Sequence, residues 1–191
     1  MTGFHHPFLI GKNCYLRGLE ETDLRENYFQ WFNDQEITRF MRHGSFPNSE
    51  IKAKEFFLRI SSSENDIVLA IICIEDSKHI GNLGLHNINW LYRTAELGII
   101  IGEKEYHGKS LAKEAMRLLL NHAFYRLNLH RVYLITDSNN KCAINAFEKS
   151  GFIKEGLLRQ DCFRNGRYVD SIFMGCLLED YEKAEINYNA Q

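Results

Sequence analysis

Leu97-Gly98-Ile99-Ile100-Ile101, followed by Gly102-Glu103-Lys104-Glu105-Tyr106-His107-Gly108-Lys109-Ser110-Leu111-Ala112, decides the fold. The first five residues form an apolar, β-branched run suited to a strand buried on both faces of a sheet. From Leu111 onward the spacing becomes helical, through Ala115, Leu118, Leu119, His122 and Ala123 as far as Leu127. The stretch therefore reads as strand, tight loop and helix N-terminus. The first helical N–H groups have no intrachain partner and carry about half a positive charge through the macrodipole, so phosphate oxygens are their natural ligands. Gly108 permits close approach of such a ligand and Lys109 adds charge.

Two kinds of phosphate loop share this geometry. A Walker A loop requires four residues between its glycines, whereas five, Glu103 to His107, separate Gly102 from Gly108. No later apolar strand ends in an acidic pair that would hold magnesium, so an NTPase is disfavoured. The second kind is the pyrophosphate loop of acetyl-CoA-dependent N-acetyltransferases, with the pattern [Gln/Arg]-x-x-Gly-x-[Gly/Ala]. Glu105-Tyr106-His107-Gly108-Lys109-Ser110 resembles it, with Glu105 in place of Gln or Arg and Ser110 in place of the small residue.

The flanking sequence extends the resemblance. Ala95 to Ile101 precedes the loop, and Leu127-Asn128-Leu129-His130-Arg131-Val132-Tyr133-Leu134 follows the helix. Asn140-Lys141-Cys142-Ala143-Ile144-Asn145-Ala146-Phe147-Glu148-Lys149-Ser150-Gly151-Phe152 then resembles the segment Asn-x-x-Ala-x-x-x-[Tyr/Phe]-x-Lys-x-Gly-Phe of the GNAT superfamily. Glu155 to Arg159, Asn165-Gly166-Arg167-Tyr168, Asp170 and Met174 complete the order. Nearly the whole chain resembles the branch containing ribosomal-protein N-terminal acetyltransferases and spermidine acetyltransferases.

The composition suits a compact enzyme. At 191 residues and 45% hydrophobic, one domain spanning 1–191 with a substantial core is expected, residues 1–12 forming a peripheral or flexible start. A formal net charge of -2 implies no broad cationic surface for nucleic acid. Cys14, Cys73, Cys142, Cys162 and Cys176 have neither metal-site spacing nor pairing, and an odd count fits reduced thiols. No basic region followed by an apolar stretch opens the chain, and no apolar run approaches 18 residues. The expectation is a cytoplasmic protein with no membrane, nucleic-acid or metal partner; a homodimer is compatible.

Along the chain the expected order is strand, two helices, three strands, helix, strand, helix and hairpin. Cys14 to Arg17 reads as a first strand. Thr22 and Asp23 offer caps for a helix bearing Leu24, Tyr28, Trp31 and Phe32, and Ser49 for one bearing Ala53, Phe56, Phe57 and Ile60. Ile67 to Ile74 is an apolar strand, His79 to Ile88 a more polar one, and Asn165-Gly166 the strongest hairpin signal. The fold class is α/β (α+β). The resemblance implies a mixed, mostly antiparallel twisted sheet of six to seven strands with a splayed central parallel pair, 95–101 beside 131–136, flanked by about four helices.

The resemblance also implies a site. Pantetheine of acetyl-CoA lies between the splayed strands against Ile99, Ile100 and Ile101, and the pyrophosphate lies on His107, Gly108, Lys109, Ser110, Leu111 and Ala112. Asn140, Ala143, Phe147 and Lys149 complete the cofactor contacts; Asn140 reads equally as the N-cap of the following helix. Acetyl transfer to an amine requires removal of its proton, a donor for the thioester oxygen and a proton for the CoA thiolate. Glu96 resembles the strand glutamate that acts as base in several GNAT enzymes, its alternative being a structural acid paired with Arg93 or His86. His86 and Asp161 are further base candidates, and a backbone N–H near Ile99 a candidate oxyanion donor. Phe147 stands where many relatives have a tyrosine acid, which leaves Tyr133 or water to protonate the thiolate.

For the acceptor, the Trp31-Phe32-Asn33-Asp34 turn lies where the fold's first two helices cover the amine pocket, so Trp31, Asn33 and His86 are substrate candidates, with Trp31 also fitting ordinary core spacing. Protein N-termini, polyamines and amino-sugars all carry a primary amine. The acidic residues Glu20, Glu21, Asp23, Asp34 and Glu36 could attract a polycation, or simply be a charged helix end. Direct attack in a ternary complex is expected, since no cysteine or serine has an activating partner in sequence; Cys142 alone lies close to the expected thioester end. A CoA-binding module without catalysis is the reading from another class, motivated by Phe147, Glu105 and Ser110.

Overall fold

Apolar runs of strand length translate into one sheet of eight strands. The computed structural model describes residues 4–25 and 27–189. Its strands are β1 (Leu9–Ile10), β2 (Cys14–Gly18), β3 (Ile67–Cys73), β4 (His79–Asn89), β5 (Thr94–Ile101), β6 (Arg131–Asp137), β7 (Ile153–Arg164) and β8 (Arg167–Leu177). The helices are α1 (Tyr28–Trp31), α2 (Glu50–Ser61), α3 (Leu111–Tyr125), α4 (Lys141–Glu148) and α5 (Leu178–Asn189). Short 3-10 turns occupy Glu21–Arg25 and Lys104–Tyr106. Sheet order is β1-β2-β3-β4-β5-β6-β8-β7, antiparallel except for β5 beside β6.

The count exceeds the expected six to seven strands and four helices, for identifiable reasons. β1 is a two-residue edge strand, too short to carry a period, and it is fixed by pairing Leu9 with Leu16 and Ile10 with Tyr15. Helix α5 has a weak apolar face; Tyr181, buried against Phe124, anchors it, and the Asp180 carboxylate accepts the Leu177 N–H. The anticipated helix after Thr22 is instead a 3-10 turn followed by the single turn of α1. Asp23 is withdrawn from helix capping because its carboxylate grips the Arg17 guanidinium at 2.6 and 2.7 Å and accepts the Glu20 N–H. Ser49 does cap α2. The β7–β8 hairpin turns at Asn165 (φ 48°) and Gly166 (φ 79°), the pair of positive φ values that a two-residue turn matching strand twist demands.

Alternation along β5 sends its residues to opposite faces. Ala95 and Leu97, with Ile99 and Ile101 alongside, pack into the principal core beneath α3, together with Val132 and Leu134 of β6. Ile100 joins a second cluster with Tyr28, Trp31 and Ala53, under α1 and α2. No helix among the described residues is long and apolar enough to cross a membrane.

Candidate active site

β5 and β6 hydrogen-bond over only three register pairs, Thr94 with Arg131, Ala95 with Val132 and Glu96 with Tyr133. Beyond them β5 pairs only with β4, as far as Ile101 with Gly81, while β6 continues beside β8 to Asp137 with Ser171. The facing edges of 97–101 and 134–137 thus open a cleft lined by strand edges that carry unpaired backbone groups. Ile99 and Ile101 are half-buried on this stretch and Ile100 is buried.

The cleft leads to the loop before α3. Gly108 (φ +78°) and Ser110 (φ +62°) both lie in the left-handed region, and a side chain at Gly108 would meet nothing within 4 Å. A left-handed residue other than glycine costs roughly 1–2 kcal/mol, so Ser110 holds its conformation at a cost that the surrounding loop must offset. Ser110 starts α3 without a side-chain cap, and the first intrahelical bond runs from the Glu114 N–H to the Ser110 carbonyl. The amides of Leu111, Ala112 and Lys113 are therefore left to an external acceptor by the geometry of a helix start. His107 binds the Ile101 carbonyl through Nε2 at 2.9 Å, tying the loop to the end of β5, and Lys109 Nζ lies 4.7 Å from the Tyr106 ring centroid. Glu105 is held by Lys78 Nζ at 2.7 Å, an amine that also contacts Glu103 at 2.8 Å. Pairing with Lys78 pulls the exposed Glu105 carboxyl below its ordinary range.

Gly102 packs face-on against Trp31, whose ring atoms would lie 1.9–2.3 Å from a Cβ there. Trp31 is 4% exposed and donates through Nε1 to Glu103 at 2.9 Å. It buttresses the loop from inside the core and does not line the cavity below. Asn33 closes the α1–α2 connection by exchanging bonds with Asn48, donating to its carbonyl at 3.0 Å and accepting its N–H at 2.7 Å.

On the α1–α2 side of β4 and β5 lies a cavity of about 430 Å³. Tyr28, Phe32 and Phe56 form apolar walls, and Lys52, Arg59, Asp66, His43, His86 and Glu96 supply charge and titratable groups. Glu96 is half-buried, stands opposite His86 in the β4–β5 register, and accepts from Asn87 Nδ2 at 3.3 Å. Neither of its expected partners holds it: Arg93 donates to Asn128, and His86 binds Asp66. Tyr133 lies beside Glu96 across the parallel pair, stacked on Phe173 at 5.5 Å; burial and then the Glu96 charge push its phenol up. Ile99 also lines the cavity, so the cavity and the β5–β6 cleft meet at one strand.

The α4 residues behave differently. Asn140 caps α4, accepting the Ala143 N–H at 3.4 Å. Phe147 is 7% exposed, edge-on to Phe152 in the principal core beside half-buried Ala143. Lys149 lies on a separate hollow between α4 and α5. Cys142 is exposed on the first turn of α4, and Asp161, on β7, approaches Arg42 at 3.9 Å away from the cavity.

The acidic residues near the N-terminus each have a basic neighbour. Glu20 contacts His5 and His6, Glu21 pairs with Lys54, Asp23 with Arg17, and Asp34 and Glu36 both with Lys104. Five carboxylates thus meet three fixed cations, because Asp34 and Glu36 share one lysine and Glu20 meets only histidines, so this end of the fold keeps a surplus of negative charge. His5 and His6, both exposed, and half-buried Glu20 do bring three donor atoms within 4.8 Å of one another.

Local sequence pattern carried no signal for Asp66, His43 or Arg59. They reach the cavity from the α2–β3 loop, the α1–α2 connection and α2.

The family described as acetyltransferase (GNAT) domain matches residues 13–153. Spermidine N(1)-acetyltransferase of Escherichia coli is 33% identical over 170 residues, covering 89% of this chain and 88% of that protein. YdaF of Bacillus subtilis, provisionally named a ribosomal N-acetyltransferase, is 33% identical over 180 residues, covering 91% and 96%. The crystal structure of spermidine N-acetyltransferase from Vibrio cholerae in complex with CoA and spermine superposes with a TM-score of 0.82 at 30% identity, covering 89% of this chain and 98% of that one. The chain belongs to the GNAT acetyltransferase family and is an N-acetyltransferase.

Proposed function

We propose that this GNAT N-acetyltransferase moves the acetyl group of acetyl-CoA directly to a primary amine held in the cavity beneath α1 and α2, with residues 1–191 acting as one domain. The observation that carries the proposal is the meeting of two features at β5: a cleft that opens after Glu96 and Tyr133, and a cavity whose wall includes Glu96 and Ile99. Pantetheine fits the cleft along Ile99 to Ile101, and the pyrophosphate fits the left-handed turn at Gly108–Ser110 and the free amides of α3.

In this reading Glu96 faces the incoming ammonium, and its charge favours binding there. The amine attacks the thioester carbonyl carbon, whose oxygen accepts a backbone N–H of β5 near Ile99. Tyr133 keeps its proton because its phenol is pushed up, and it is positioned beside Glu96 to protonate the thiolate in place of a tyrosine at Phe147. Cys142, exposed on α4, has no activating partner among the described residues, which favours direct transfer over an acyl-enzyme.

The named relatives support a small polyamine as acceptor. A second reading has its own observation. The cavity carries Lys52 and Arg59 as well as Asp66 and Glu96, so its own charged groups balance. That balance favours an amine with a single positive charge or with an anionic group attached: a protein N-terminus, or a nucleotide-linked amino-sugar.

The test is a CoA-release screen with spermidine, spermine, an N-terminal peptide library and nucleotide-linked amino-sugars, run with wild type and Glu96→Gln. Turnover with one acceptor class is expected, with a higher amine KM in the variant because the ammonium loses its facing carboxylate. Turnover with none, together with calorimetric acetyl-CoA binding, would instead identify a CoA-binding module without catalysis. Intersecting double-reciprocal plots are expected; ping-pong kinetics with acetylated Cys142 would overturn direct transfer.

A further inference from the structure

We infer that His86, oriented by Asp66, takes the proton from the acceptor amine, and that Glu96 holds the ammonium in place for it. The inference rests on the amine-acetylation reading above and assigns a proton route within it.

The arrangement has three parts. His86 Nδ1 lies 3.0 Å from Asp66 Oδ1. The Asp66 carboxylate also accepts the Ser63 hydroxyl at 2.7 Å and lies 3.7 Å from Arg59. Burial raises the Asp66 carboxyl, but the hydrogen bonds from Ser63, His86 and the Asn87 amide outweigh it and hold the group below its ordinary range. An ionised carboxylate can only accept, so the neutral imidazole carries its hydrogen on Nδ1 and presents a lone pair at Nε2.

Nε2 stands over two glycines. Gly84 and Gly98 are register partners on β4 and β5, and a Cβ would come within 3.1 Å of Nε2 at Gly84 and 3.3 Å at Gly98. Their missing side chains leave the space that the ring occupies. Nε2 has no protein partner among the described residues and lies in the wall of the acceptor cavity. Gly98 is also the second residue of β5 beyond its last pair with β6, so the lone pair sits beside the start of the cleft. A side chain oriented by a carboxylate, with its second nitrogen free toward the reaction space, is the arrangement of a general base.

The protons balance as follows. The acceptor arrives as an ammonium, and Nε2 takes one proton, freeing the nitrogen lone pair. The C–N bond forms at the thioester carbonyl and the C–S bond breaks. The nitrogen loses a second proton as the amide forms. One of the two protons ends on the CoA sulfur and the other goes to solvent. Groups facing His86 are Asp66, Glu96, Arg59, Lys52 and His43, so only a comparison of variants isolates its contribution.

The experiment measures kcat, the amine KM and the pH profile of kcat/KM for wild type, His86→Gln, Asp66→Asn and Glu96→Gln, with acetyl-CoA affinity by calorimetry as the control for folding. His86→Gln should lower kcat about 100-fold and abolish the acidic limb of the profile, with acetyl-CoA affinity unchanged. Asp66→Asn should lower kcat roughly tenfold with the amine KM and the acetyl-CoA affinity unchanged, since the ring loses the carboxylate that orients it. Glu96→Gln should raise the amine KM and keep the limb. If His86→Gln keeps wild-type kcat and limb while Glu96→Gln loses both, the proton route is overturned and amine acetylation stands. If wild type acetylates no amine, the functional reading falls and the route with it.

Discussion

Gly102→Ala tests the coupling between the core and the nucleotide loop. A methyl group at this position would lie 1.9 Å from Trp31 Cδ2 and 2.3 Å from Cγ and Cε2. Ordinary carbon contact begins near 3.5 Å, so the indole must retreat by about 1.5 Å. It has nowhere to go: Tyr28 and His79 lie at ring separations of 5.5 and 5.1 Å, and Nε1 is fixed to Glu103. Overpacking of this kind costs about 1–3 kcal/mol, and losing a buried bond to a carboxylate adds about 1.5–3 kcal/mol. A total near 4 kcal/mol lowers the Tm of a domain this size by roughly 10 °C. The Gly102 and Glu103 amides both bind the Ile80 carbonyl, so their displacement reaches the loop and should raise the acetyl-CoA KM as well. Thermal denaturation followed by circular dichroism reads the first effect and CoA release the second. In a Trp31→Ala background the same substitution should cost less than about 1 kcal/mol, because the obstructing ring is gone. A Gly102→Ala protein melting within about 2 °C of wild type, or losing as much in the Trp31→Ala background, would refute the reasoning.

Gly108→Val meets open space, so its effect comes from the left-handed φ of +78°; it should raise the acetyl-CoA KM about tenfold, against about threefold for Lys109→Ala, and unchanged calorimetric binding in the valine variant would remove the loop from the nucleotide site. Tyr133→Phe should lower kcat with little change in either KM, read from initial rates, if the phenol protonates the thiolate. Burial alone would raise the Asp23 carboxyl, but the Arg17 guanidinium and the Glu20 N–H hold it below its ordinary range. The stability that this pair contributes is therefore complete above the usual aspartate range and lost as pH falls through the lowered value. Asp23→Asn should cost about 3–5 kcal/mol in urea denaturation at neutral pH, because it strands a buried Arg17, and should flatten the acid dependence. Arg164 donates to the Arg39 and Met41 carbonyls and pairs with Asp137 at 2.9 Å, tying the α1–α2 connection to the end of β6. Arg164→Met should loosen that cover and raise the amine KM severalfold, while leaving acetyl-CoA affinity intact.

The sequence by itself determined the parts governed by local periodicity and backbone conformation. The β5 run, the glycine and serine at 108 and 110, the spacing of α3, the Asn140 cap and the Asn165-Gly166 turn are each encoded within a few residues, and each was legible there. A two-residue strand and a helix with little apolar face carry too little period to register, so β1 and α5 emerged only when β2 and the core offered partners. What only the tertiary structure decided was pairing. The acids at 20–36 read as one charged cluster, and only the fold set their partners, Lys54 for Glu21, Arg17 for Asp23 and Lys104 for Asp34 and Glu36 together. Trp31 fitted both core and pocket, and contact with Gly102, seventy-one positions later, put it in the core. Asp66 reached His86 for the same reason: side-chain chemistry is set by neighbours in space, and the order of strands in a sheet, which no local pattern encodes, chooses those neighbours.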